Sequence, residues 1–415
     1  MQGTSPINFA VPGDIGAAQR MAAAARGDAV AFMSLCESYA PALLGAALRI
    51  LGDRVAAETA VYDVLLEAWR SAKQFDPRHF SVRMWWTIGV RNAALRALPE
   101  YRAARMAAVH DTQITTLDDK TEAPDVGPLR QAIQSAMLDL DDEPRSALQL
   151  AYFEGLGPAE IADRARCSPE SVRAHVTDGL RRLAAALAGA GYPADVPRPQ
   201  DRLAAAYLLG ELSEDDAGRF DLGESVADVP AFEVAAMRDV VHGIALYTFP
   251  AALSGQTRAR LLAAIAGPER LTPFAQDLAA LMCLPQDHAR ELLARVDTSR
   301  GWHDDAGLRI LPIEIGPGSE VRVPEDMSDP PDPLDVTVVQ RPSWPRRLIV
   351  RAAPGATIPS RYPHSEARVL VLQGGLSQDD ARAAGPGDLI PWPSGTTLGV
   401  ADPGGPELIL AVLNQ

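Results

Sequence analysis

Lysine is nearly absent from this chain. Of 39 Lys and Arg residues only Lys73 and Lys120 are lysine, and 54 Asp and Glu leave a formal net charge of -15. Long-range steering follows net charge, so a protein that coats DNA through overall charge is excluded, and any DNA contact must come from a locally Arg-bearing surface. Cysteine is equally scarce. Cys36, Cys167 and Cys283 lie more than a hundred residues apart and form no close ligand pair, so free thiols are expected in place of a disulfide framework or clustered metal site. No apolar run reads as long enough to cross a bilayer, and "MQGTSPINFAVPGD" lacks the basic-then-apolar order of a secretory signal. No membrane partner is expected, and the cytoplasm is the expected compartment.

What is present is abundant Ala, Leu and Val in 415 residues, too long for one ordinary core, so two to four domains are expected. Apolar residues recur at three- and four-residue spacing from Ile15 to Leu98, broken at Gly52-Asp53, which predicts a small helical domain over 15–101. The polar, aperiodic stretch 102–128, with two prolines, reads as a flexible linker, and 191–201 as a second. Helices are expected over 129–190 and again over 202–268. From 272 a short helical lead-in gives way to apolar runs such as "LRILPIEI", "LDVTVVQ", "RRLIVRA", "ARVLVLQGG", "DLIPWP" and "ELILAVLN", separated by Gly and Pro turns. That spacing predicts an antiparallel sandwich or barrel to residue 415. The fold class is therefore multidomain: two all-α domains, a third short α-helical domain, and an all-β C-terminal domain.

Within "LGPAEIADRARCSPESVRAHV", two short helices flank a turn. Ser168 before Pro169 is a strong helix start, since Ser accepts from an orphan backbone N–H and Pro is tolerated at the first helical position. The second helix presents Glu170, Ser171, Arg173 and His175 near its N-terminal end, where the reading helix of a helix-turn-helix touches base edges. Arg173 suits a bidentate contact to guanine, and Arg181 and Arg182, two turns on, suit phosphate. The plainer alternative is a helical hairpin with a solvated Arg face.

"LDLDDEPRSALQLAYFEGLGPAEIADRARCSPESVRAHVTDGLRRLAAAL" resembles region 4 of the extracytoplasmic-function (ECF) sigma factors. "LGDRVAAETAVYDVLLEAWRSAKQFDPRHFSVRMWWTIGVRNAAL" is similar to their region 2, in matching order, over roughly the first 190 residues. The resemblance implies that region 2 grips core RNA polymerase and opens the promoter minus-10 element, while region 4 reads the minus-35 element. It places Trp69, Trp85, Arg91 and Asn92 in the polymerase-binding and strand-opening part, with Arg91 and Asn92 toward DNA. Where the family has an acidic run, this chain has Ala56-Ala57-Glu58-Thr59, so Glu58 and Asp63 remain as the polar polymerase-binding set.

Downstream, "AAYLLGELSEDDAGRF" and "RARLLAAI" resemble the helical anti-sigma domains that wrap such factors, but no Cys occurs between Asp201 and Gly267, so the tetrahedral zinc site many of them carry lacks its ligands. "PGATIP", "VLVLQG" and "AAGPGDLIPWPSGTTLGV" resemble a cupin, and the order resembles the ChrR-type anti-sigma architecture. Ser360 to Pro363 stand where a cupin's His pair belongs and Leu398 where its distal His belongs, so no metal or other cofactor is expected. An organic-ligand pocket would draw on Arg361, Tyr362, His364, Glu366 and Trp392. The reading is a non-enzymatic ECF-type sigma factor whose partners are core RNA polymerase and promoter DNA, autoregulated by its own C-terminal half, with a small molecule as a candidate input. The alternative is a ligand-responsive regulator with impaired polymerase recruitment. A cupin dioxygenase or isomerase is disfavoured by the missing ligands.

Overall fold

The computed structural model describes residues 14–107, 127–189, 201–298, 301–305, 307–315, 321–322, 346–359, 366–378, 382–400 and 407–414. The chain forms two compact units. One comprises Met1–Met21, Val30–Ala68 and Gln74–Leu262, the other Ala22–Ala29, Trp69–Lys73 and Ala263–Gln415.

The first unit is helical. Its elements are α1 (Asp14–Ala24), α2 (Ala29–Leu51), α3 (Arg54–Arg70), α4 (Val82–Ala107), α5 (Gly127–Leu138), α6 (Asp142–Glu154), α7 (Pro158–Ala165), α8 (Pro169–Gly189), α9 (Asp201–Leu208), α10 (Glu214–Leu222), α11 (Ala231–Gly243) and α12 (Gly255–Ala266), with α1, α3 and α12 running on into the second. Helix starts follow local chemistry: Asp53 accepts the Ala56 N–H at 2.8 Å, Ser81 that of Met84 at 3.1 Å, and Ser213 that of Asp216 at 3.2 Å. Helix α4 runs on to Ala107, into the stretch expected as linker; 108–126 lie outside the described residues. Most of the helical residues of 15–101, 129–190 and 202–268 fall in the first unit, while 22–29, 69–73 and 263–268 fall in the second.

Helix α2 is long and apolar enough to cross a membrane by composition, which inspection of apolar runs did not anticipate. It is the core helix of the first unit. Phe32, Leu35, Tyr39, Leu43, Leu44 and Ala47 are buried along it, and Trp86 of α4 sits edge-on to Phe32 and Tyr39 with centroids at 5.5 and 6.0 Å. Pro41 and Gly45 lie one turn apart within it, and the segment after α11 crosses there: Ala251 donates its N–H to the Pro41 carbonyl at 2.9 Å.

The second unit joins two helices, α13 (Ala275–Met282) and α14 (Gln286–Arg295), to antiparallel strands: β1 (His303–Asp305), β2 (Leu308–Pro312), β3 (Glu314–Ile315), β4 (Val321–Arg322), β5 (Arg347–Ala352), β6 (Thr357–Ile358), β7 (Ala367–Gln373), β8 (Leu376–Gln378), β9 (Arg382–Ala384), β10 (Leu389–Trp392), β11 (Leu398–Val400) and β12 (Leu408–Asn414). A six-stranded sheet runs β1-β2-β5-β12-β7-β10, a four-stranded one β6-β11-β8-β9, and β3 pairs with β4. The larger sheet is buried on both faces. Ile349, Leu370, Ile409 and Ala411 pack with α13 and α14, whereas Leu348, Val350, Val369, Leu410 and Val412 pack with Ile358, Leu376 and Leu398 of the smaller sheet. Two buried faces make its central strands read as continuous apolar runs instead of alternating ones. This is the antiparallel, cupin-like architecture expected; the run "LDVTVVQ" lies outside the described residues.

Candidate nucleic-acid interface

Helix α6 ends at Gly155, whose φ of 64° supplies the left-handed turn a side chain would resist. Gly157 then starts α7, its N–H held by the Glu160 carboxylate at 3.0 Å. Three residues, Arg166 to Ser168, turn the chain into α8, with Arg166 at φ 55° and the Cys167 N–H bonded to the Ala162 carbonyl at 3.1 Å. Ser168 Oγ accepts the Ser171 N–H at 3.1 Å, so Ser168 is spent on starting the helix.

Helix α8 buries Val172, Val176, Gly179, Leu180, Leu183 and Leu187, one stripe at helical spacing. Glu170, Arg173, Arg181 and Arg182 are exposed, and Ser171 and His175 half-buried. The basic side chains are already engaged. Arg182 pairs with Asp141 at 3.0 Å and Asp178 at 2.9 Å, and Arg181 lies 3.8 Å from Asp178. Arg173 takes a partner from farther along the chain: its Nε and Nη2 both donate to Glu211, at 2.8 and 2.7 Å. That bond and the nearby charge push the guanidinium further toward its protonated form.

Of the residues expected on the region 2 side, Arg91 and Asn92 face inward. Arg91 is 6% exposed; its Nε donates to the Tyr152 carbonyl at 3.3 Å, and its guanidinium lies 4.6 Å from the Tyr152 ring centroid and 5.7 Å from that of Tyr207. Asn92 donates to Asp221 at 2.9 Å. Asp221 also accepts from Tyr207 at 2.6 Å and lies 3.2 Å from His242 Nε2, while Tyr152 Oη lies 3.4 Å from His242 Nδ1. Burial would raise the Asp221 carboxyl, but His242, Tyr207 and Asn92 together hold it below its usual range. One polar cluster therefore joins α4, α6, α9, α10 and α11.

Glu58 is likewise covered, at 8% exposed. It accepts from Ser254 Oγ and Thr257 Oγ1, both at 2.5 Å, from the Ser254 N–H at 3.2 Å and from Arg54 at 3.0 Å. Burial would raise this carboxyl, but the hydroxyl, amide and Arg54 bonds bring it below its ordinary value. Beside it, the Arg260 guanidinium stacks 3.7 Å from the Tyr62 ring centroid, while Asp63 is exposed. Trp85 is half-buried against Phe75, with centroids at 5.5 Å. Trp69 belongs to the second unit, where it is fully buried and donates to the Glu269 carbonyl at 2.6 Å.

In the C-terminal unit, Arg361, Tyr362 and His364 lie outside the described residues, and Glu366 is exposed. Trp392 is fully buried in the core between the sheets and donates its indole N–H to the Thr396 carbonyl at 3.1 Å. Leu398 is fully buried in the same core.

Sequence reading missed Glu211, Asp221, His242, Ser254 and Thr257. Each is an ordinary polar residue in a helix or turn, and only the chain's return over α3, α4, α6 and α8 brings it to its partner there. The acidic cluster "GELSEDDAGRFDLGE" was the one visible hint.

Comparison with known proteins bears on the N-terminal helices. The Sigma-70 region 2 family matches residues 35–103, and the Sigma-70, region 4 family matches 130–183. The ECF RNA polymerase sigma factor SigK of Mycobacterium sp. (strain JLS) is 30% identical over 162 residues, 38% of this chain and 82% of that protein. The chain belongs to the ECF sigma factor family. SigK of Mycolicibacterium vanbaalenii is 29% identical over 171 residues, again 38% of this chain and 83% of the relative. The two family matches end at residue 183, within α8 and before α9, so the part of the chain they cover is its N-terminal part. Among solved structures, Rhodobacter sphaeroides SigE in complex with the anti-sigma ChrR is similar at 19% identity over 51% of this chain and 95% of that chain, with a TM-score of 0.21, too loose a superposition to carry weight.

Proposed function

We propose that this ECF sigma factor binds core RNA polymerase, directs it to a promoter through α8 and α4, and is restrained by helices α9 to α12 of its own chain. One observation carries the reading. The segment after residue 200 engages Arg173 of the reading helix through Glu211, Asn92 of region 2 through Asp221, and Glu58 through Ser254 and Thr257. Side chains that would face DNA and polymerase are thus satisfied internally, and each external partner must displace an internal one.

Tethering favours this. The downstream helices act at an effective concentration in the mM range for a short linker, so a modest interface stays occupied. Activation then requires an input that prefers the open state. A small molecule bound by the cupin-like domain through Arg361, Tyr362, His364 and Glu366 is a candidate input. The chain acts by binding and carries out no covalent step.

Truncation after residue 195 tests the reading. The truncated chain is expected to capture core polymerase and support transcription in vitro better than the full chain. Equal capture by the two would refute self-restraint.

A further inference from the structure

We propose that His242 makes the docking of α9, α10 and α11 on α4 and α6 proton-sensitive, so that acidification loosens the restraint. The inference rests on the reading of these helices as a restraint and names an input to it. His242 is 1% exposed and both ring nitrogens have partners from other elements. Nε2 lies 3.2 Å from Asp221 of α10 and 3.4 Å from the Tyr207 hydroxyl of α9; Nδ1 lies 3.4 Å from the Tyr152 hydroxyl of α6.

These contacts fit a neutral imidazole. Tyr207 O–H and Nε2–H both point to the Asp221 carboxylate, which leaves Nδ1 as the acceptor for Tyr152 O–H. A second ring proton would sit on Nδ1 and meet the Tyr152 hydroxyl, which would have to turn its own proton away inside a buried site. It would also add charge beside two guanidiniums. Arg91 of α4 stacks on the Tyr152 ring, and Arg238 of α11 is 2% exposed, pairs with Asp239 at 2.9 Å and has an Nη1 without an acceptor among the described residues. Asn92 of α4 completes the ring of groups by donating to Asp221. Asp221 is the one carboxylate in direct contact with the imidazole among the described residues.

The direction agrees. Burial pushes the imidazole below its ordinary 6.5, Arg91 and Arg238 add to the depression, and the Asp221 bond opposes it without cancelling it. Once α11 lifts away, His242 returns to its ordinary value. The docked state therefore holds fewer protons than the open one. Docking is at full strength above the open-state value and weakens as pH falls from there toward the docked value.

The test uses the full chain. Amide hydrogen exchange of α9 to α11, corrected for the intrinsic effect of pH, is measured between about pH 7.5 and about pH 6, a window that brackets the ordinary His value. Opening should rise on acidification, approaching but not exceeding about tenfold per pH unit, the ceiling for one proton. His242→Gln should flatten that slope, and His79→Gln, exposed in the turn before α4 and outside this cluster, should retain it. The imidazole resonance of His242 in the wild-type chain gives a second readout if His242→Gln opens at every pH: titration below the ordinary value supports the proposal. A wild-type slope of zero, a slope that survives in His242→Gln, or titration at or above the ordinary value would overturn it. Exchange reads docking alone, so failure here is distinguishable from failure of the polymerase-capture test.

Discussion

If α9 to α12 restrain the chain as proposed, Gly45→Ala is expected to loosen that restraint without harming the helices it covers. Gly45 is buried in α2, and a Cβ built there would stand 2.1 Å from the Phe249 carbonyl oxygen and 3.2 Å from Thr248 Oγ1. No real Cβ tolerates such a contact with backbone, so the crossing segment 248–252 must move. Three bonds anchor that segment: Ala251 N–H to the Pro41 carbonyl at 2.9 Å, Arg130 to the Thr248 carbonyl at 2.6 Å, and Arg54 to the Ala252 carbonyl at 2.6 Å. At about 1 kcal/mol for a net hydrogen bond, with half-exposed Arg donors discounted toward that figure, their loss weakens docking by about 2–4 kcal/mol. That is on the order of 30- to 700-fold in the docking constant. Helix α2 itself benefits, since Ala is favoured over Gly in a helix interior by about 1 kcal/mol.

The two effects have opposite signs in two measurable forms of the chain. Full-length Gly45→Ala should capture core polymerase nearly as well as the chain truncated after residue 195, while the truncated variant should be as stable to heat as its parent or more so. Unchanged capture by the full-length variant would refute the role given to the crossing segment. A large loss of thermal stability in the truncated variant would refute the claim that Gly45 serves docking and not the helix's own packing.

Glu211→Ala should change polymerase capture by the full chain little, because the Glu211–Arg173 pair is exposed and salt-screened; a gain matching that of Gly45→Ala would show that this one pair carries the restraint. Gly179→Ala should destabilise the reading-helix core by about 1–3 kcal/mol in urea unfolding, since its Cβ would stand 2.7 Å from Leu148 Cδ1 and 3.1 Å from its Cγ inside a packed contact.

The helices and long strands were legible in the sequence because period and punctuation agree there: Asp53, Ser81, Ser168 and Ser213 each begin a helix, and β5, β7 and β12 are continuous apolar runs. Strands β1, β6, β8, β9 and β11, each two or three residues long, were not read, because so short a span carries no period. The site divides the same way. Arg173 was legible from its place two turns' reach from a capped helix start, whereas the buried state of Arg91 and Asn92 was not. Their burial depends on Tyr152, Tyr207 and Asp221, which are 61, 116 and 129 residues distant in sequence. Local pattern records what a residue can do and not what covers it.

The partners of the arginines on α8 reconcile a DNA-reading element with an acidic chain. Arg181 and Arg182 pair with Asp178 and Asp141, which belong to the same sigma-like segment and stay with it when α9 to α12 lift away. Arg173, proposed to meet a base edge, has Glu170 of its own helix at 3.8 Å but takes its close partner, Glu211 at 2.7 Å, from the segment between α9 and α10. On the proposed reading, release leaves the pairs of Arg181 and Arg182 as they were and frees Arg173 from Glu211. In this reading the restraint gates recognition of sequence more than attraction to the backbone. The net charge of -15 keeps non-specific attraction low in both states, so that what changes on opening is the discrimination Arg173 supplies.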